Sequence, residues 1–366
     1  MRFRNNVSIE RSARSGMKPV RAIVSKVVRF ILLASFCTLA VAAQDKMPPA
    51  RVEGIYFYGL GGRDGEALRA ALPLRVGETF SDPIKLIETK PRVEEAVRRS
   101  MGLSAADVSY VSPGGEKWFV YVGVLGGTVK PTRYNEAPKG SAHLPEDAMR
   151  LIKAADEAFL NAMRRGNVRE DDSQGYALSA DDQELRAKQM AMREWAVRNE
   201  SAILAVLRSS GDVKHRQAAS QLLGYARLSP RQIAELVRAS RDPDETVRNN
   251  ATRALLVIAN SNETAAAMIP ADGFVEMLNS GEWTDRNKAA GLLLQLTRSR
   301  SPRLLSLIRR TSLESLIEMA GWANDHAQAA RTILGRIAGI WESELEMMVA
   351  DDRRAAAIVD AARRVR

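Results

Sequence analysis

The chain of 366 residues has one cysteine, three histidines and few aromatic residues, and each scarcity removes a class of chemistry. Cys37 has no second thiol with which to close an intrachain disulfide. His143, His215 and His326 lie far apart, and no two have the close spacing of a metal-binding motif. Gly59-Leu60-Gly61-Gly62 lacks the Lys-Ser/Thr of a phosphate-binding loop and the strand-to-helix spacing of a dinucleotide fingerprint, so it reads as a turn. Neither Gly-x-Ser-x-Gly nor His-Glu-x-x-His occurs. No acid, base or nucleophile stands out as a constellation, so the expectation is a non-enzyme with no cofactor and no bound metal. No apolar run reaches the roughly 20 residues that span a bilayer.

A dense cationic stripe is also missing, despite a formal net charge of +10. Arg2, Arg4, Arg11, Arg14, Lys18, Arg21, Lys26 and Arg29 stand against Glu10 alone in residues 1–42. That segment carries +7 of the +10, leaving +3 for residues 43–366, which argues against nucleic acid as a partner. The basic segment leads into the apolar run Phe30–Ala43, which ends in small residues at Ala40-Val41-Ala42-Ala43. Residues 1–43 therefore read as a signal peptide, with cleavage after Ala42 or Ala43 and export to the periplasm or beyond. Met17 is an alternative start, and contact with a membrane is expected only through the uncleaved segment. The mature chain would then have no cysteine.

Residues 44–124 read as a small α+β domain. Arg51–Tyr58 alternates and is rich in β-formers. Short helices follow at Asp64–Leu72 and within 83–102, separated by a turn through Pro73–Ser81. Val108–Val111 and Trp118–Val124 flank the turn Ser112-Pro113-Gly114-Gly115, giving the order β-α-α-β-β. Residues 125–144, rich in Gly and Pro and without periodicity, read as an interdomain linker.

From residue 145 to 366 the pattern is helical and repeats. Val247, Ala251, Ala254, Leu255 and Ile258 share one helical face. The offsets of Ala251, Ala254, Leu255 and Ile258 recur at Ala219, Leu222, Leu223 and Ala226, at Ala289, Leu292, Leu293 and Leu296, and at Ala330, Ile333, Leu334 and Ile337. The leading alanines are 32, 38 and 41 residues apart, the interval of a stacked helical repeat. Arg216, Arg248 and Arg286 each precede a leading alanine by three residues. His215 and His326 each precede one by four, which suits packing between repeats. Helices near 146–165, 182–197 and 200–209 open the stack, and 342–349 and 351–365 cap it. The loop Gly166–Ala180 contains Glu170-Asp171-Asp172, the one acidic cluster that stands out. It lacks the regular spacing of a calcium-binding loop and reads as a solvated loop or one packed against the first repeat.

"DPDETVRNNATRALLVIA" and the run through "NKAAGLLLQLT" resemble the armadillo/HEAT superfamily. That resemblance implies a mostly α fold, a right-handed α-α superhelix or solenoid, with a surface that binds a protein or peptide. The Trp and Asn pair with which armadillo proteins clamp peptide backbones is absent. The equivalent positions hold Gln221/Tyr225, Arg253/Val257, Gly291/Gln295 and Thr332/Arg336. Gln221, Tyr225, Arg253, Gln295 and Arg336 are therefore the candidate partner-binding residues. "VEGIYFYG", "LPLRVGETF", "RVEEAVRRSMGL" and "DVSYVSPGGEKWFVYVGV" resemble a POTRA domain, a family of exported modules in envelope assembly. The expected function is an exported interaction scaffold acting through its repeats. The alternative is an envelope-biogenesis or secretion accessory acting through the POTRA-like domain.

Overall fold

The computed structural model describes residues 48–322 and 325–365, so the expected signal peptide, residues 1–43, lies outside the described residues. The first unit runs β1 (Ala50–Tyr58), α1 (Gly65–Ala71), β2 (Thr79–Phe80), α2 (Pro83–Ile87), α3 (Lys90–Met101), β3 (Ala105–Val111) and β4 (Lys117–Val124). Local chemistry sets its boundaries. Asp64 accepts from the Glu66 N–H at the start of α1, and Asp82 does the same for Lys85 ahead of Pro83. Gly102, at φ 65°, ends α3 in the left-handed conformation that glycine adopts without strain.

The sheet order is β2-β1-β4-β3, with β1 parallel to β4 and both outer pairings antiparallel. The two-residue β2, which pairs with Ala50 and Arg51, lies inside the segment expected as a turn. It is too short to carry an alternating pattern. One face of the sheet, with Ile55, Val120, Val122 and Val124, packs on Leu68, Leu72, Val93 and Val97 from the helices of this unit. Alternation sends Tyr56, Tyr58, Phe119 and Tyr121 to the other face. There they join the core of the helical repeats, beside Trp283 and Trp322.

Helix α4 (Glu146–Arg164) and a small hairpin, β5 (Glu170–Asp171) with β6 (Leu178–Ser179), lead into the stack. Its helices are α5 (Gln183–Arg198), α6 (Glu200–Ser209), α7 (Val213–Leu223), α8 (Pro230–Ala239), α9 (Glu245–Ser261), α10 (Glu263–Ala267), α11 (Asp272–Met277), α12 (Trp283–Leu296), α13 (Pro302–Ala320), α14 (Asp325–Ile337), α15 (Glu342–Met348) and α16 (Asp352–Arg364). Helix α13 is two helices joined at Ser312, whose φ of −141° is non-helical. Helices α7, α9, α12 and α14 lie side by side and carry the four matched faces. Every residue of those faces is buried except Leu296, which is half-buried. The architecture is thus the expected mostly α helical solenoid with a small α/β unit at its start.

The three repeated arginines form a buried ladder. Arg216 makes a two-pronged pair with Asp242, at 3.0 and 3.1 Å. Arg248 reaches Asp285 at 2.9 Å, and Arg286 reaches Glu318 at 3.1 Å. Each guanidinium also holds carbonyls of the turn before its own helix: Ser210 for Arg216, Asp242 and Pro243 for Arg248, and Ser280 for Arg286. One side chain therefore closes a turn and bonds forward to the next repeat, which satisfies charge that burial would otherwise make costly.

Residues 125–144 lie as a strap along the turns between repeats. The Lys130 N–H donates to the Asn279 carbonyl, the Asn135 N–H to that of Arg241, and the Gly211 N–H to that of Gly140. The strap thus meets one inter-repeat turn every five residues, running opposite to the repeat order. Tyr134 lies 4.1 Å under the Arg248 guanidinium and donates to Asp285 at 3.2 Å.

Candidate partner-binding face

The side-by-side helices α7, α9, α12 and α14 bury one side in the core, so their other side was expected to be open. It is covered instead. Helix α4 packs on α5 and α7, and the segment 165–180 reaches from α5 across α7 to the far half of α9. Four of the five candidate residues are bonded to other parts of the chain. Gln221 is half-buried and donates to Asp156 of α4 at 3.3 Å. Tyr225 is 6% exposed, and its hydroxyl donates to the Ala177 carbonyl at 2.8 Å. Arg253 pairs with Glu170 of the arm. Arg336 is 6% exposed and is a structural bond, donating to the Leu294 carbonyl, to Thr297 and to Glu342. Gln295 is 4% exposed, and its amide N and O have no hydrogen-bond partner among the described residues. The premise that all five are free for a partner is therefore corrected. The physical reason is that one helix's pattern identifies its core side but not what a distant segment lays on the other side.

The structure brings Tyr225 and Arg253 together under the arm, with two residues that sequence reasoning did not single out. Asn260, two turns beyond Arg253 on α9, donates to Asp172. Lys288 of α12 is 2% exposed. Burial, and then the neighbouring Arg253, bring its ammonium down to about 7, opposed by Glu170. The sequence signal for this site was the acidic run Glu170-Asp171-Asp172. The arm is bonded at its base as well: Asp171 pairs with Arg186 at 3.2 Å, Ser179 N–H donates to Gln189 at 2.6 Å, and Tyr176 packs under Arg193 at 4.7 Å. Asp182 anchors its return, capping α5 and accepting from Arg165 and Asn167.

Asn249, which lies off the repeated apolar face of α9, is nevertheless only 6% exposed. Helix α9 has α7 on one flank and α12 on the other, so little of it faces solvent.

Two further clusters appear at the edges. At the junction of sheet and repeats, burial and the carboxylates of Asp107, Glu245 and Asp285 push Glu282 up to about 7. These carboxylates have structural partners: Asp107 accepts from Ser109 and the Trp283 N–H, Glu245 from Thr284, and Asp285 from Arg248 and Ser280. Beside them Tyr121 hydrogen-bonds His326 Nδ1 at 2.6 Å, and burial brings that imidazole down to about 3, so it packs as a neutral ring. At the strap, His143, Asp212 and His215 place one potential ligand atom each within 4.8 Å of one another. The Leu144 N–H donates to His215 Nδ1 at 3.0 Å, which puts the proton of the neutral ring on Nε2. Asp212 caps α7. As arranged, His215 fastens the strap and has no lone pair left for a metal.

No protein-family model matches the chain, and no curated protein is found to be related to it. Similar solved structures include a designed armadillo repeat protein in complex with the peptide (KR)4, 14% identical with a TM-score of 0.34, covering 51% of this chain and 95% of its own. A computationally designed armadillo repeat protein for modular peptide recognition is 17% identical, TM-score 0.34, over 50% and 94%. An engineered protein is 19% identical, TM-score 0.35, over 60% and 97%. These are likenesses of repeat architecture alone.

Proposed function

We propose that this chain is an exported, non-enzymatic scaffold that binds a protein or peptide partner on its helical repeats. The observation that carries this reading is that the stack already holds two extended stretches of its own chain. The strap meets successive turns through backbone hydrogen bonds, and the arm meets α7 and α9 through Tyr225, Arg253 and Asn260. A surface that orders extended polypeptide in cis has the donors, acceptors and charges to do so in trans. Export rests on the apolar run Phe30–Ala43 and its small-residue end. The non-enzymatic reading rests on the commitment of the junction carboxylates to structural bonds.

The alternative, an envelope-biogenesis role through the POTRA-like unit, has one observation in its favour. Strand β3 ends the sheet, paired with β4 on one side only, which is where strand addition takes place in other folds. The test is to purify a partner captured from envelope extract by the mature protein and to measure its affinity for two variants. On the scaffold reading, Arg253→Ala changes the affinity. Affinity unchanged by both Arg253→Ala and Glu170→Ala/Asp172→Ala moves the site off the arm-covered face and favours the α/β unit.

A further inference from the structure

We infer that Tyr225, Arg253, Asn260 and Lys288 form a recognition surface for an acidic, extended segment of a partner, and that the chain's own arm, residues 168–180, occupies it when no partner is bound. This inference rests on the scaffold reading and adds the chemistry of the partner.

Three features of the arm and its seat lead there. The first is charge. The seat presents the cations of Arg253 and Lys288 on neighbouring helices, and the arm delivers Glu170 to Arg253 and Asp172 to Asn260. The two acidic contacts lie two residues apart along the arm and two turns apart along α9, so the arm runs along the helix in extended form. The second is main-chain recognition. The Tyr225 hydroxyl donates to a backbone carbonyl, Ala177 O, so this contact reads the extended backbone and not a side chain. The third is the weak internal structure of the arm. Its strands pair over only two residues each, Glu170 with Ser179 and Asp171 with Leu178, and the tip Ser173–Gln174 is exposed. Most of what positions the tip is its contact with the seat, and an isolated hairpin of that size has little stability of its own.

Lys288 supports the same reading. Burial and Arg253 hold its ammonium near neutrality, so the cation is kept there at a cost to the fold. An incoming carboxylate would offset that cost. Gln295, two turns along on α12, is buried with its amide unpartnered among the described residues. Because the arm is tethered, it competes at an effective concentration on the order of 1 mM, and a free peptide must be correspondingly tighter or more abundant to displace it. Weakening the arm therefore raises apparent affinity for the partner without adding a contact.

The test uses a fluorescein-labelled peptide with the sequence of residues 168–180, titrated by anisotropy into the full mature chain. Three forms are compared: wild type, Glu170→Ala/Asp172→Ala, and that double variant with Arg253→Ala added. The peptide is expected to bind the double variant at least about 30-fold more tightly than wild type. Adding Arg253→Ala, or replacing the peptide's Glu and Asp residues by Gln and Asn, is expected to weaken binding about tenfold or more. A second measurement on wild type covers the case in which the rest of the arm stays seated. At saturating peptide, the amides of Gly175 and Ala180, which donate to Asp172 and Arg169 within the arm, should lose protection from hydrogen exchange. No binding to a double variant with wild-type circular dichroism, together with unchanged exchange in wild type, overturns the inference. Equal binding of the peptide whose Glu and Asp are replaced by Gln and Asn also overturns it. If the inference fails but a captured partner still binds the repeats, only the acidic-segment reading falls and the scaffold reading stands.

Discussion

At the scale of residues, Arg248 joins two repeats through one guanidinium. It bonds Asp285 in the next repeat and the Asp242 and Pro243 carbonyls of its own turn, with 1% exposure. Arg248→Ala is expected to cost about 3–5 kcal/mol in urea unfolding, because it strands the buried Asp285 carboxylate. Adding Asp285→Ala should restore part of that loss, since the stranded charge is then gone. Leu255, fully buried in the most regular face, should cost about 2–5 kcal/mol when cut to Ala. Lys288 should behave in the opposite sense. Its folded pKa lies below its unfolded value, so wild type loses stability as pH falls from about 10.5 towards 7. Lys288→Met should therefore stabilise the protein by on the order of 2 kcal/mol at pH 7, with the gain fading as pH rises from about 7 to about 10.5. The core roles of Leu255 and its equivalents were legible because burial follows the 3.6-residue period. The arginines were visible as a repeated position, but their acidic partners, 26, 37 and 32 residues further on, belong to no single helical pattern.

At the scale of elements, the helices were readable and the extended segments were not. Helices carry their own signals in caps and apolar spacing, so α4, α5, α6 and α16 fall within a residue or two of where the sequence put them. The strap and the arm have no period, and their partners lie up to 190 residues away, at Glu318 for Thr128. Composition showed that residues 125–144 are not helical, but not that they lie bonded along the turns. The same limit hid the arm and with it the state of the candidate face.

The junction between sheet and repeats is another pairing that only the fold creates, and it has a pH signature. Glu282 has a folded pKa of about 7, above the ordinary carboxyl value, because burial and three neighbouring carboxylates oppose its ionisation. Its contribution is therefore favourable below about pH 4.5 and is lost as pH rises through 7. Glu282→Gln, which mimics the protonated form, should leave stability unchanged at pH 4. It should raise stability at pH 8 by about 1–2 kcal/mol, after discounting for partial exposure. Equal effects at both pH values would show that Glu282 does not carry the titration.

At the scale of the whole molecule, the small sheet is covered on both faces, by its own helices on one and by the repeats on the other. Tyr58 and Tyr121 meet Trp283, Trp322 and His326, while Glu318 accepts from the Gly59 N–H and from Arg286. A unit tied in this way should unfold with the repeats it contacts. Tryptophan fluorescence and far-ultraviolet circular dichroism are expected to give coincident urea transitions, and Tyr121→Ala should shift both together. Separate transitions would mean that the shared aromatic core contributes little.

The most direct test of the scaffold reading is quantitative capture from envelope extract on three baits: the wild-type mature chain, Glu170→Ala/Asp172→Ala, and the same double variant with Arg253→Ala. A partner that uses the arm-covered face should be enriched several-fold on the double variant over wild type and should fall back when Arg253 is removed. Identical capture on all three baits would contradict a binding face on the repeats beneath the arm.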